Sequence, residues 1–350
     1  MNPILSIILP VYNTEAYFPA CLESLVPQLD ERAELIIVDD GCTDGSRAIA
    51  RIFAYRYPEL IHLISQENRG NTIARYTGLH AARGRYIAFM DSDDLADPAW
   101  YSSILSVIEQ NEPDMIILRW QKFDDDGNLF ETDRPPLFAE GPVKKEDVLK
   151  VYLSSQRVTG LPIKVVKRSL FTDETDYSDK GKRRLMEDKL ISMQLFANAE
   201  TFWYIPKVLY WYRTNLSSIT IRKHPKEHWT LAYTYPPLFD FLKESGYDSE
   251  AFRDILVENY ASVMWEILLK LHRTQLKKTN LQDYEEIRSF PVTAMIPERI
   301  SRFTLADYKI KGIELLLNQE YKALYSYVGK IRSNPDLDHM PHLRKLGKLK

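Results

Sequence analysis

Only two of the 350 residues are cysteines, Cys21 and Cys42. Two lone thiols make neither a metal-binding spacing nor a disulfide framework, so a redox role drops out and a reducing compartment is the simplest expectation. No stretch approaches the ~18 consecutive apolar residues that a membrane span requires. The apolar run from Ser6 to Val11 has no cationic leader and is too short for a secretory signal, so it reads as a first strand. A cytoplasmic protein is expected. A formal charge of −3 leaves no basic footprint for nucleic acid. There is no internal repeat and no low-complexity stretch. No GxGxxG spacing occurs at Gly41 to Ser46, which argues against a dinucleotide-dependent oxidoreductase.

What the chain does have is apolar material, 45% of its residues, enough for a sizeable core in two domains or in one domain with an appended subdomain. Four short apolar runs each end in a polar cluster. Ser6-Ile7-Ile8-Leu9 leads into Pro10-Val11-Tyr12-Asn13, Leu35-Ile36-Ile37-Val38 into Asp39-Asp40, Leu60 to Ser65 into Gln66-Glu67-Asn68-Arg69-Gly70, and Tyr86 to Met90 into Asp91-Ser92-Asp93-Asp94. Stretches of helical length and pattern lie between and after them, over Glu15 to Gln28, Gly45 to Tyr57, Asn71 to Arg83 and Pro98 to Asn111. Alternation of strand and helix builds a mostly parallel sheet with helices on both faces, and such sheets bind ligands outside the carboxyl ends of their strands. All four polar clusters fall on that edge.

The cluster Asp91-Ser92-Asp93-Asp94 is an expensive place for unpaired negative charge. Carboxylates this close repel and raise one another's pKa. A divalent cation would neutralise them, and hard oxygen ligands suit Mg2+ or Mn2+. The chain therefore reads first as a metal-assisted enzyme. The alternative for Asp94, or for Asp97 just ahead of Pro98, is a cap on the next helix, a reading that suits Asp97 and not Asp91 or Asp93.

Organisation changes at two points. Phe123 to Glu140 is rich in Asp, Pro and Gly, a long connection after the strand-like Met115 to Trp120. After about Ser218 the pattern becomes helical over Trp229 to Glu244, Glu250 to His272, Leu305 to Leu317 and Tyr321 to Ile331. Aromatics there, such as Trp229, Tyr260 and Trp265, are expected in a core. His224 and His228, four apart with Pro225 between them, read as a solvent-exposed loop. The segment His342 to Lys350 interleaves leucines with four cations. It is either a solvated tail or a contact with an anionic membrane surface, each cation then adding about 1 kcal/mol.

Four blocks, in this order and spacing, carry a resemblance. They are Ser6 to Asn13, Ile37-Val38-Asp39-Asp40-Gly41-Cys42-Thr43-Asp44-Gly45-Ser46, Glu67-Asn68-Arg69-Gly70 with Ala74-Arg75, and Asp91-Ser92-Asp93. Together they resemble the nucleotide-sugar domain of family 2 glycosyltransferases, inverting enzymes of the GT-A fold. The likeness covers roughly residues 4 to 220; Cys42, Arg69 and Tyr76 depart from the usual serine, glycine and asparagine. It implies an α/β fold of GT-A type, a mostly parallel sheet sandwiched by helices, with a nucleotide-sugar-binding catalytic domain over residues 1–220; the helical pattern beyond it is expected to form a C-terminal subdomain over 221–350 for acceptor or membrane-surface contact. It also implies a UDP-sugar donor, a saccharide or lipid-linked acceptor, and Mn2+ or Mg2+.

Site residues follow from the same resemblance. Pro10, Val11 and Tyr12 border the nucleobase through backbone groups, and Asp39, beside Asp40, accepts a hydrogen bond from the uracil ring. Asn68 belongs to the same donor site. Arg75 lies near the base or diphosphate, or else is a surface helix arginine. Asp91, followed by Ser92, touches the ribose, and Asp93 binds the metal. Asp188, in Leu185 to Leu190, is the catalytic base at the start of a helix. Arg213, in the aromatic stretch Tyr210-Trp211-Tyr212-Arg213 after the last core strand and ahead of Ser217 to Thr220, either clamps the diphosphate or is an alternating strand residue. A nucleotidyltransferase fits less well, since no glycine-rich phosphate loop lies near Pro10 to Glu15. The remaining alternative is a non-catalytic nucleotide-sugar-binding or assembly protein of the same fold.

Overall fold

Short runs rich in Ile, Val and Leu favour strands over helices, and the first four do form strands. The computed structural model describes residues 2–130, 135–155, 157–172, 187–214, 235–272 and 279–333. The four runs are β1 (Leu5–Val11), β2 (Ala33–Asp39), β3 (Ile61–Ser65) and β4 (Tyr86–Phe89). β1 pairs in parallel with β2 and β4, and β2 with β3. Every residue of β1 and β2 is buried. Such strands are covered on both faces, which is why they read as unbroken apolar runs rather than as alternation.

Helices α1 (Phe18–Leu25), α2 (Ser46–Arg56), α3 (Asn71–Ala81) and α4 (Trp100–Asn111) follow these strands in turn, α4 after the short β5 (Leu95–Ala96). Leu22 and Leu25 of α1 and Ile104 and Ile108 of α4 share one buried cluster with Leu5, Ile7 and Leu9 of β1 and Leu35 and Ile37 of β2. α3 packs tightly on the sheet: a Cβ at Gly78 would lie 2.4 Å from Ile8 Cγ2. That close approach fixes the depth of Arg75 in the same helix.

Beyond α4 come β6 (Met115–Phe123), β7 (Leu129–Phe130), β8 (Gly141–Val143), α5 (Lys145–Ser154), β9 (Lys164–Lys167), α6 (Glu187–Asn198) and β10 (Phe202–Arg213). Strand order is β3-β2-β1-β4-β9-β6-β10-β5, with β7 on β6 and β8 on β10. β9 runs antiparallel to both β4 and β6, while β6 and β10 are parallel. The N-terminal half of the sheet is therefore parallel and the rest mixed. Tyr210 to Arg213 lie inside β10 rather than after it.

The chain divides into two compact units, Met1–Val151 with Gln156–Ser218, and Tyr152–Ser155 with Ile219–Lys350. The second contains α7 (Tyr235–Glu244), α8 (Glu250–Leu271), α9 (Thr279–Ser289), α10 (Asp307–Leu317) and α11 (Tyr321–Ser333). Tyr260 and Trp265 are core residues, as expected. The Trp265 ring occupies the space a side chain at Gly312 would need. No helix among the described residues is long and apolar enough to cross a membrane. Ser217 to Thr220, His224, Pro225, His228, Trp229 and the segment His342 to Lys350 lie outside the described residues.

Candidate active site

The acidic turn leaves β4 at the carboxyl edge, beside the end of β1. Its four residues are held by different partners and so differ in character. Asp94 is buried; it accepts a hydrogen bond from the Tyr210 hydroxyl and a 2.7 Å bond from the Arg213 backbone N–H. Asp94 therefore ties β10 to the turn and does not cap α4. Asp97 does sit ahead of that helix, its Oδ1 accepting from the Ala99 N–H at 3.0 Å. Ser92 is buried and receives a 2.9 Å bond from Thr14 Oγ1. Asp93 has no side-chain hydrogen bond or ion pair to another residue among the described residues. Burial, then the neighbouring Asp91, pushes its carboxyl up to about 6. Burial, then Asp93, also pushes Asp94 upward.

Arg75 is the centre of the arrangement. Its side chain is 4% exposed, which excludes a surface helix arginine. Nη2 donates to Asp91 Oδ1 at 2.7 Å and Nη1 donates to Asp188 Oδ1 at 2.7 Å. One buried guanidinium thus joins the acidic turn to Asp188, 113 positions beyond Arg75. Asp188 is the second residue of α6, and among the described residues its Oδ2 takes only a 3.4 Å contact from the Leu161 N–H. The Leu161 loop is itself fixed from below. Lys164 is buried and donates through Nζ to the carbonyls of Thr159 at 3.0 Å and Gly160 at 2.6 Å. Burial lowers its ammonium to about 7.

Arg213 braces the turn from the other side. Its Nε donates to the Asp93 carbonyl at 2.8 Å, Nη1 reaches Asp125 at 3.1 Å, and its guanidinium lies 4.8 Å from the Tyr17 ring centre and 4.5 Å from that of Phe123. These contacts hold the backbone of the acidic turn in place.

The neighbouring strand tips differ from the sequence expectation. Asp39 is fully buried: Oδ1 accepts from the Cys42 N–H at 2.9 Å, and Oδ2 from Arg47 Nε at 2.5 Å and Ser65 Oγ at 3.2 Å. A base N–H reaches it only if Arg47, whose side chain is 40% exposed, moves aside. Asp40 is also turned inward, its oxygens taken by the N–H groups of Arg69 and Gly70, both at 2.9 Å, and by Gln66 Nε2 at 2.7 Å. It shapes the loop carrying Asn68 instead of presenting a free carboxylate. Gly41, at φ +76°, permits this turn, and a Cβ there would sit 2.8 Å from the Asn68 nitrogen. Pro10 and Val11 are buried, with the Val11 carbonyl accepting from the Asp40 N–H, while Tyr12 and Asn68 are exposed. Sequence reasoning missed Arg47 and the Lys164-supported loop; only Arg47, eight residues after Asp39 in the first turn of α2, carried a local signal.

Among the described residues no three His, Cys, Asp or Glu side chains converge to hold a metal alone. Mg2+ and Mn2+ are commonly held by one or two carboxylates plus substrate phosphates. Asp93, unpaired beside Asp91 and raised in pKa, fits that arrangement.

The sequence profile described as Glycosyl transferase family 2 matches residues 6–171. EpsH of Bacillus subtilis (strain 168), provisionally named a glycosyltransferase, is 29% identical over 329 residues, 92% of this chain and 93% of its own. TuaG of the same organism, provisionally named a teichuronic acid biosynthesis glycosyltransferase, is 42% identical over 94 residues, 27% of this chain and 37% of its own. The structure of S. aureus TarS 1-349 in complex with UDP-GlcNAc superposes with a TM-score of 0.65 at 17% identity, covering 95% of this chain and 92% of that one. That likeness establishes a shared fold. The acidic turn, Arg75 and the parallel half-sheet all fall inside the span that matches the glycosyl transferase family 2 profile.

Proposed function

We propose that this chain is an inverting glycosyltransferase, moving a sugar from a UDP-sugar to a hydroxyl of a saccharide or lipid-linked acceptor in bacterial surface polysaccharide synthesis. The carrying observation is the Arg75 guanidinium, which places Asp188 one side chain away from the acidic turn. Asp188 Oδ2, which has one long contact among the described residues, takes the proton from the acceptor hydroxyl. The acceptor oxygen attacks the anomeric carbon from the face opposite the leaving UDP, and one displacement inverts the configuration. Arg75 keeps Asp188 and Asp91 in register throughout, and Arg213 holds the Asp93 backbone. Asp93, with Asp91 beside it, would hold Mn2+ or Mg2+. Bound there, the cation supplies positive charge that offsets charge building on the departing diphosphate.

UDP-GlcNAc in the TarS complex supports a uridine donor, and the teichuronic acid name of TuaG supports a surface-glycan acceptor. Tyr12 and Asn68 are the exposed members of the donor site, and Asp39 joins them once Arg47 is displaced. Residues 1–220 carry the donor and the chemistry, and 221–350 serve acceptor or membrane contact. UDP release from UDP-sugars with Mn2+ tests the proposal. Asp188→Asn loses about 10²- to 10⁴-fold in turnover while donor binding survives; Asp93→Ala loses metal-dependent donor binding. Near-normal transfer by both variants overturns the assignment. UDP-sugar binding without turnover in the wild type would favour the non-catalytic alternative.

A further inference from the structure

Tyr12, Ile52, Tyr55 and Leu129 are the exposed large apolar side chains among the described residues, and Ile52 and Tyr55 share one helix, α2. Its inner face is accounted for: Ser46 and Ala50 are buried, and Ile49, Phe53 and Ala54 pack against the core cluster. Ala48, Arg51, Ile52, Tyr55 and Arg56 face outward, Ile52 at 55% exposure and Tyr55 at 90%. At about 100° per residue, Ala48, Ile52 and Tyr55 make an apolar stripe about 60° wide, with Arg51 along one border and Arg56 along the other. Arg51 makes no hydrogen bond or ion pair among the described residues. Arg56 makes no ion pair there either, and its guanidinium lies 5.8 Å from the Phe53 ring centre. The helix contains no carboxylate. Asp44, just ahead of it, accepts from the Glu15 and Ser46 N–H groups, and Glu59 lies in the turn beyond it.

This pattern selects among occupants. The stripe runs along 11 residues, about 16 Å, and is far smaller than the ~800 Å² per partner of a stable protein interface. Two copies of α2 face to face would set arginine against arginine with no carboxylate on either helix to pair them. A bilayer with anionic headgroups meets both demands at once. Guanidiniums reach lipid phosphates while their stems run along apolar surface, tyrosine sits at headgroup level, and a narrow apolar stripe enters the boundary of the acyl chains.

We propose that α2 lies against an anionic lipid surface, with Ile52 and Tyr55 entering the headgroup layer and Arg51 and Arg56 pairing with lipid phosphates. α2 starts directly after the turn that follows Asp39, so the contact keeps the donor side of the site at the bilayer, where a lipid-linked acceptor resides. That purpose rests on the transferase reading; the contact itself does not. Co-sedimentation of the full chain with two kinds of vesicle tests it, phosphatidylcholine alone and equal parts of phosphatidylcholine and phosphatidylglycerol. The wild type binds the anionic vesicles at least about 30-fold more strongly, about fivefold for each of the two arginines. Arg51→Gln/Arg56→Gln loses that factor, and Ile52→Ser/Tyr55→Ser loses about tenfold on the anionic vesicles. The cations of His342 to Lys350 are the same in every chain compared, so these differences belong to α2. All four side chains are exposed, so the melting midpoint and UDP affinity stay at their wild-type values and a folding defect would be visible. Equal binding to the two vesicles, unchanged binding by either double variant, or a dimer in analytical ultracentrifugation that Ile52→Ser/Tyr55→Ser dissociates, overturns the proposal. UDP-sugar turnover is scored separately without vesicles, so failure of the transferase reading remains distinguishable.

Discussion

Replacing Arg75 by methionine keeps the volume of the side chain and removes its charge. In the wild type the guanidinium makes two 2.7 Å bonds, to Asp91 and Asp188, whose side chains are 25% and 29% exposed. Each charge-assisted bond contributes about 1.5–3 kcal/mol. Breaking a buried ion pair from one side costs about 3–5 kcal/mol, because the surviving charges stay behind unpaired. Here each carboxylate keeps some solvent, so about 3 kcal/mol is the expected loss of stability. In a unit of this size that lowers the melting midpoint by about 6–12 °C. Urea denaturation followed by circular dichroism measures the loss, and Asp188→Asn on the Arg75→Met background restores part of it by removing one stranded charge. The Arg75 and Asp188 effects are then strongly non-additive. A loss below about 1 kcal/mol, or strictly additive effects, would refute the bridging role.

Asp114 offers a pH test: burial alone would raise its carboxyl, but Lys167 and the N–H groups of Glu200 and Thr201 hold it at about 2 against an ordinary 3.8. Its contribution, about 2 kcal/mol, is complete above pH 3.8 and disappears as pH falls through about 2, so Asp114→Asn is destabilised at pH 7 and matches the wild type at the lowest pH. Gly78→Ala drives a Cβ to 2.4 Å from Ile8 Cγ2 and costs about 1–3 kcal/mol by thermal denaturation; an unchanged midpoint would show that α3 can lift off the sheet at no cost. Arg47→Gln exposes Asp39 to a ligand and tightens UDP binding severalfold in calorimetry, whereas weaker binding would show that Arg47 itself contacts the nucleotide.

Elements governed by near neighbours were legible in the sequence. β1 to β4 and α1 to α4 follow from apolar runs and helical periodicity, and the exceptional status of Asp93 follows from three adjacent negative charges. β9 was not legible. Lys164-Val165-Val166-Lys167 is too short and too charged to suggest a central strand, and the carbonyls of Thr159 and Gly160 help make a buried Lys164 tolerable. Distance in sequence hid the rest. Nothing near Arg75 reveals that it spans Asp91 and Asp188, and nothing near Asp40 shows that the Arg69 and Gly70 amides turn it inward. Arg213 stood out by type, yet its bracing of Asp93 depends on β10 lying where the fold puts it.

The bond from the Arg213 amide to Asp94 links positions 119 residues apart. Ribosomes extend chains at about 5–20 residues per second, and domains assemble as their residues emerge. The parallel half-sheet is thus complete many seconds before β10 and Arg213 leave the exit tunnel. During that interval the turn after β4 has its scaffold and the Arg75–Asp91 bond, but not the brace from Arg213. Nascent chains released short of Arg213 would carry the parallel half-sheet with an acidic turn that lacks the Arg213 contacts.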